Sequence, residues 1–492
     1  MKSSIKFKTT APPLLVLLVL GCLALYPMAG AVMPPPDGGY PGGNTAEGQA
    51  ALFGLSTGTY NTAVGLFSLR AVGAGNFNTA LGAGALVLNT ADQNTATGFG
   101  ALLSNTSGAS NTSTGTLALF YNTTGGGNTA NGANALFHNT TGSGNTAVGI
   151  SALRDNTRDF NTAVGYYSLV ANTTGEQNTG IGDFALTGNT TGLQNTAIGS
   201  AALDANTTHS FNTAIGSAAL ALNNADGNTA VGALALTRNT TGVGNTATGL
   251  RALELNDNGI RNTADGVYAL NNNVSGGGNT AVGYQALVNT TGDGNTAVGN
   301  DSLVANVTGS NNTAVGNGAL SANTGASDNT AIGAGALPLA TTGSHVCVGR
   351  NAGNGITVVD NNIIIGHHSG VHSVLGQGAG RCYIDNIHAH SVSAATAAFV
   401  MVDSDGLLGT VTFDGSDPGG LSTHSPQPYV PQAATQATLN RKVDKLQATV
   451  TEQQKQIEIL TAQLKEQAAQ IQKVSARLQI SKPSPRTVLN DH

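Results

Sequence analysis

NTAIGSAALDANTTHSF, residues 195–211, runs directly into NTAIGSAALALNNADG, residues 212–227. Units of this kind open on an Asn-Thr pair 18 times, from Asn44-Thr45 to Asn329-Thr330, at steps of 17 or 16 residues. A short fixed period predicts a stack of similar coils, each contacting mainly its neighbours. The expected fold class is therefore an all-β repeat, a parallel β-roll or β-solenoid of about 20 coils. A C-terminal α-helical coiled coil is expected to follow it.

Each unit can be numbered from its Asn. Thr at +1, Gly at +4 and Leu at +8 occur in all 18 units. Asn61, Thr62, Gly65 and Leu69 mark one unit; Asn195, Thr196, Gly199 and Leu203 a second; Asn312, Gly316 and Leu320 a third. Position +7 is Ala or Ser, and +2 is Ala in 16 units, with Ser113 and Gly180 as exceptions. The spacing predicts two short strands per coil, NTAVG and the x-A-L segment, with bends at Gly and Asn. The residues at +2 and +8 are expected to point inward. Stacked Asn amides can donate and accept along the axis, which satisfies buried polar groups. Thr at +1 offers a parallel hydroxyl ladder. A second Asn falls at +11 in most units, as at Asn122, Asn172, Asn189 and Asn239.

Position +3 is Val, Ile or Leu in 12 units, among them Val64, Ile198, Val231 and Ile332. Strand alternation sends it outward. A long outward apolar row is unfavourable unless it is covered, so these residues form a candidate oligomer face. The 16-residue steps that begin at Asn78, Asn145, Asn212 and Asn279 lie 67 residues apart, which suggests blocks of four coils duplicated in tandem. Two degenerate coils, at His345-Val346-Cys347-Val348-Gly349 and Asn362-Ile363-Ile364-Ile365-Gly366, keep the beat. The solenoid head is expected to span 44–366.

Composition agrees with a narrow coil. Charged residues make up 9%, aromatic residues 4%, Trp is absent and Gly numbers 67. Disordered chains carry more charge, and collagen needs Gly at every third position. Between 44 and 366 there are 7 Arg, no Lys and 15 Asp plus Glu, a balance of −8. Such a surface repels phosphate backbones and argues against a nucleic-acid partner.

The N-terminus has the pattern of an export signal over residues 1–31. Lys2, Lys6 and Lys8 precede the apolar run from Leu14 to Leu25, and Ala29-Gly30-Ala31 offers a cleavage site. The expected location is outside the cell, secreted or at the surface. Lipidation at Cys22, after Val19-Leu20-Gly21, is the rival. Cys347 and Cys382 then remain and could form one disulfide if they share a face two coils apart.

A Pro/Gly-rich leader covers 32–43, a β neck 367–411, a Pro/Gly/Ser/Gln linker 412–438 and a polar tail 481–492. Within the neck, the stretch from Val400 to Gly406 reads as a strand entering a tight turn. Residues 439–480 carry heptads. One seam has Val443, Val450, Ile457, Leu464, Ile471 and Leu478; the other has Leu439, Leu446, Gln453, Leu460, Gln467 and Val474. Six repeats without Pro or Gly predict a coiled coil. Its basic excess reads as a solvated face. The seam chemistry leaves the number of strands open.

The NTAVG…AL…NTTG units resemble the head repeats of trimeric autotransporter adhesins of the YadA type. That resemblance covers about residues 44–366 and implies three chains wound into left-handed parallel β-rolls. It makes the expected partners two further copies of this chain and a host or environmental surface, matrix protein or glycan. The family's coil is shorter than 17 residues. Residues 381–411, from Arg381-Cys382-Tyr383-Ile384 to Leu407-Leu408-Gly409-Thr410, resemble the segment before the endosialidase-type intramolecular chaperone of phage tail spikes. Neither that chaperone nor an auto-cleaving Ser-Lys pair is matched, and residues 481–492 do not match a membrane barrel.

The expected function is an exported structural, adhesin-like protein. The alternative is a phage-derived, tail-fibre-like protein with glycan recognition. No catalytic constellation, cofactor motif or metal template stands out. His367, His368, His372, His388 and His390 cluster in the neck, but their spacing fits no ligand template and reads as polar loop. The glycine turns lack the GK[ST] of a phosphate loop. The acids do not recur in the register that calcium β-rolls require. Ice binding by a Thr ladder is a third idea.

Overall fold

The computed structural model describes residues 40–371, 376–385, 399–402, 408–411 and 454–455. The chain divides into two units, 1–391 and 392–492. In the first, 21 strands of three residues form one parallel sheet. They run from β1 (Thr45–Glu47) through β9 (Thr179–Ile181), β10 (Thr196–Ile198) and β11 (Thr213–Ile215) to β18 (Thr330–Ile332), β19 (Val346–Val348), β20 (Ile363–Ile365) and β21 (Cys382–Ile384). Each strand pairs with the next one in the chain. Thr196 lies opposite Thr213, Ala197 opposite Ala214 and Ile198 opposite Ile215. Thr therefore stacks on Thr, and Ala on Ala, through most of the sheet.

The core is a column. Ala at +2 and Leu at +8, as in Ala197 and Leu203, are fully buried, and one continuous cluster joins them from Ala51 to Ile364. Leu69, Leu203 and Leu320 fill this interior as the periodicity predicts. The sheet also runs one strand past the expected end at residue 366. β21 follows β20 after a 19-residue step and pairs Cys382 with Ile363. Its register is kept because Asn362 Oδ1 accepts the Arg381 N–H at 3.0 Å.

The x-A-L segment is a turn, not the second strand that the spacing suggests. It still bonds from coil to coil, Leu203 N–H to Ala219 O at 3.0 Å. The difference lies in the dihedrals. The +8 Leu is left-handed throughout, with φ of 52° at Leu203 and 53° at Leu320. The residues at +6 and −1 share that region, as at Ala201 and Phe211. This explains the invariance of Leu. A left-handed L-residue costs ~1–2 kcal/mol, and a β-branched one is a far worse fit. Burying Leu returns roughly 1.5–3 kcal/mol. Among the described residues, the non-glycine positions at positive φ include no Val, Ile or Thr. Those residues appear freely at +3, where the backbone is extended. At +4 the strain demands glycine. Gly199 has φ of 136°, and a Cβ there would sit 2.5 Å from the Gly216 carbonyl oxygen.

The Asn ladder forms as expected, with additional bonds. Asn312 Oδ1 accepts the Asn329 N–H at 3.0 Å, and Asn312 Nδ2 donates to Asn295 Oδ1 at 3.1 Å and Ala326 O at 2.8 Å. The +11 Asn forms a second buried ladder, with Asn122 Nδ2 to Asn105 Oδ1 at 2.7 Å and Asn189 Nδ2 to Asn172 Oδ1 at 2.7 Å. The hydroxyl ladder expected at +1 does not form among the described residues. Thr at +12 supplies one instead, bonding to the next coil's carbonyl, as in Thr173 Oγ1 to Thr190 O at 3.0 Å.

In the second unit, β22 (Phe399–Val402) pairs antiparallel with β23 (Leu408–Val411), Phe399 opposite Val411. The strand expected from Val400 is β22. Of the heptad segment only Gln454 and Lys455 are described, and both are helical. The seam residues, the export signal and Cys22 lie outside the described residues. No described helix is long and apolar enough to cross a membrane.

Leu203→Met should cost about 1 kcal/mol, as volume-conserving swaps do. Leu203→Ile should cost roughly 2–3 kcal/mol, because it adds left-handed strain. Loss of amide protection in the flanking coils measures both. Equal costs would refute the backbone explanation.

Candidate interaction surfaces

Two outward surfaces emerge from the coil geometry. The first is the sheet face. In β2 to β20 the middle residue is buried and its two neighbours point out, so Thr at +1 and the residue at +3 share this face. Ile198 is 36% exposed and Ile332 40%, while Val64 and Val231 are half-buried. The candidate oligomer residues are thus outward and aligned in one row. The row is aliphatic without a break from Val148 to Val231 and again from Val282 to Ile332. Thr97, Thr114 and Asn131 interrupt it in three successive coils, and Thr248 and Asp265 in two more.

The second surface lies on the turn that carries +5 to +10. Sequence reasoning missed it because the outward residues at +5, +6, +9 and +10 vary from coil to coil. In the N-terminal coils they are ring-rich. Val87, Leu103 and Phe120 make a small buried cluster with Phe67, Leu117, Tyr121 and Phe137 packed against it. Rings stack at coil spacing, Phe120 on Phe137 at 5.5 Å and Tyr121 on His138 at 5.6 Å. Arg70 sits over the Phe53 and Phe67 rings. Phe99, Tyr166 and Phe184 leave much of their ring surface in solvent. The three coils that interrupt the aliphatic row lie within this ring-bearing stretch.

A charged cluster borders the rings. His138 Nδ1 lies 2.8 Å from Asp155 Oδ1, and Arg154 Nη2 donates to Asp155 Oδ2 at 2.6 Å. Burial pushes the Asp155 carboxyl up. The hydrogen bonds from Arg154 and His138, together with their charges, outweigh it and bring the group down to about 2.

Four acids do recur, at a four-coil period and not at every coil. Asp92, Asp159, Asp226 and Asp293 stand at −2, 67 residues apart, each at the close of a 16-residue coil. Each accepts a backbone N–H of the preceding coil at 2.7 Å, from Asn76, Ser143, Ser210 and Gly277. Asn76, Ser143 and Ser310 accept the same bond at −2 in 17-residue coils, so the acids are one version of a general cap on the preceding turn. The 67-residue period carried that signal.

The disulfide expected between Cys347 and Cys382 does not form; both thiols are free. The register aligns Cys347 with Ile364 and Tyr383, and Cys382 with Ile363 and Val346. Cys347 therefore points into the core and Cys382 outward, two strands away. Two strand spacings make about 9.6 Å, beyond the roughly 7 Å a disulfide can bridge. In the neck, His368 stacks on Tyr383 at 4.3 Å, and its Nδ1 accepts the Gly370 N–H. His372, His388 and His390 lie outside the described residues. Among the described residues no group of three or more His, Cys, Asp or Glu could hold a metal ion.

Asp155 contributes stability that is complete above pH ~4, its unfolded range, and is lost as pH falls through about 2. Asp155→Asn should remove that acid-limb contribution, about 1 kcal/mol or less for a partly exposed pair. Acid titration of amide protection in the coils around 138–170 checks this. Comparison of the chain with protein-family models, with curated proteins and with solved structures gives no match.

Proposed function

We propose that this chain is an exported structural protein, a β-solenoid rod that associates with further copies of itself and attaches to surfaces at many points. The observation that carries the reading is the aliphatic row at +3. It runs along a regular parallel sheet and is exposed in a single chain. Covering it with identical chains removes that surface from water in proportion to its area. Three copies are the expected number, on the resemblance of the units to trimeric adhesin heads. The signal-like N-terminus supports export.

Attachment falls to the ring-bearing turn face, near the coils where the row turns polar. Each contact can be weak, because an assembly with several chains binds through many contacts together. The partners are cells, matrix proteins or glycans. The exposed rings of Phe99, Tyr166 and Phe184 give the tail-fibre-like alternative its own support, since rings offer flat faces to sugars.

Sedimentation of the exported chain at micromolar concentration should give a trimer. A monomer there ends the assembly reading. Ile181→Lys, Ile198→Lys and Ile215→Lys together should dissociate it by placing unpaired charges in the covered face. Phe99→Ala, Tyr166→Ala and Phe184→Ala together should leave the trimer intact and lower retention on immobilised matrix protein or glycan arrays at least tenfold. Unchanged retention would refute the attachment surface. Loss on glycans alone would favour the tail-fibre-like reading.

A further inference from the structure

The axial Asn ladder changes chemistry at one rung. Asn312 passes its bond to Asn329, but the next coil offers His345 in the Asn position. The His345 N–H donates to Asn329 Oδ1 at 3.1 Å, as an Asn would. Its ring Nδ1 then stands where an amide oxygen stands elsewhere, and accepts the Asn362 N–H at 3.2 Å. Asn362 Oδ1 carries the chain of bonds on to Arg381.

Geometry fixes the tautomer. Thr342 Oγ1 lies 3.3 Å from His345 Nε2 and already spends its own proton on Val359 O at 2.7 Å. Thr342 can therefore only accept, so the ring proton sits on Nε2. Nδ1 is left bare, as the Asn362 N–H requires. His345 has no solvent exposure. A second proton on the ring would set an N–H against an N–H inside a buried ladder. Two donors facing each other without water is among the costly arrangements in a protein interior.

We propose that His345 is an acid-sensitive rung, and that its protonation uncouples the coil of β19 from those that follow it while the coils before it stay paired. Burial holds the ring's proton affinity down; nearby Asp360 and the Val359 carbonyl oppose this in smaller measure. Asp360 also accepts the Gly343 N–H, which ties its carboxylate to the same turn. Cys347, two residues on, stays a neutral thiol because burial pushes it up to about 12. The unfolded ring takes up a proton near pH ~6.5. The folded rung resists it, so these coils are fully stable above that pH and weaken as pH falls below it. Nearest-neighbour coupling confines the effect to the end of the stack.

Hydrogen–deuterium exchange on the full chain at about pH 8 and about pH 5, corrected for intrinsic rates, tests this. Segments 346–371 and 376–385 should lose roughly tenfold more protection on acidification than segments 145–227. His345→Asn restores an amide rung and should abolish that difference. A uniform change along the solenoid, or the same local change in His345→Asn, overturns the proposal. The nitrogen-15 shift of His345 Nδ1 gives a check without mutation. An unprotonated Nδ1 at pH 8 is expected, and a protonated one refutes the rung.

Discussion

The solenoid depends on the buried Asn amide that opens its 18 Asn-Thr coils. Its strands are only three residues long, too short to set a register by themselves. The Asn side chain adds what they lack. Its oxygen accepts a backbone N–H of the next coil, and its nitrogen reaches a carbonyl on the far side of the same turn. Slipping by one residue would bury both groups without partners, each at about 1–3 kcal/mol. Repeated along the axis, that penalty makes the stack cooperative and its pairing unambiguous. The Leu column supplies the driving force, and the amides decide how it is used.

Much of this was legible in the sequence. A 17-residue beat with fixed Asn, Gly and Leu leads directly to stacked coils, inward Ala and Leu, outward Val and Ile, and an amide ladder. What escaped was conformational. Leu203 looks like a strand residue by hydropathy, yet its backbone is left-handed, and hydropathy carries no sign of φ. The clue was negative: β-branched residues never occupy that position. Ser, Ala and Phe at +6 give no hint of a shared dihedral until the coil is seen whole. The +12 Thr ladder was missed for a similar reason, since the conspicuous Thr at +1 drew the argument.

The surfaces were legible in a different proportion. The aliphatic row follows from alternation alone, because the period of two fixes which side faces out. The ring patch does not, because Phe99 at +5, Phe120 and Phe137 at +9 and Tyr121 at +10 occur in only some coils and are gathered only when turns pile up. The cysteine pair marks the limit of counting residues. Two coils of separation looked compatible with a bond, but one residue of offset in the register sends the two thiols to opposite sides of the wall.

The carboxylates of Asp92, Asp159, Asp226 and Asp293 make the four-coil block a self-contained cassette. Each block carries its own short coil together with the side chain that completes the neighbouring backbone. A genetic exchange that adds or drops 67 residues therefore joins surfaces that already match. The length of the solenoid can thus change across generations in fixed quanta, with no new interface between coils to invent.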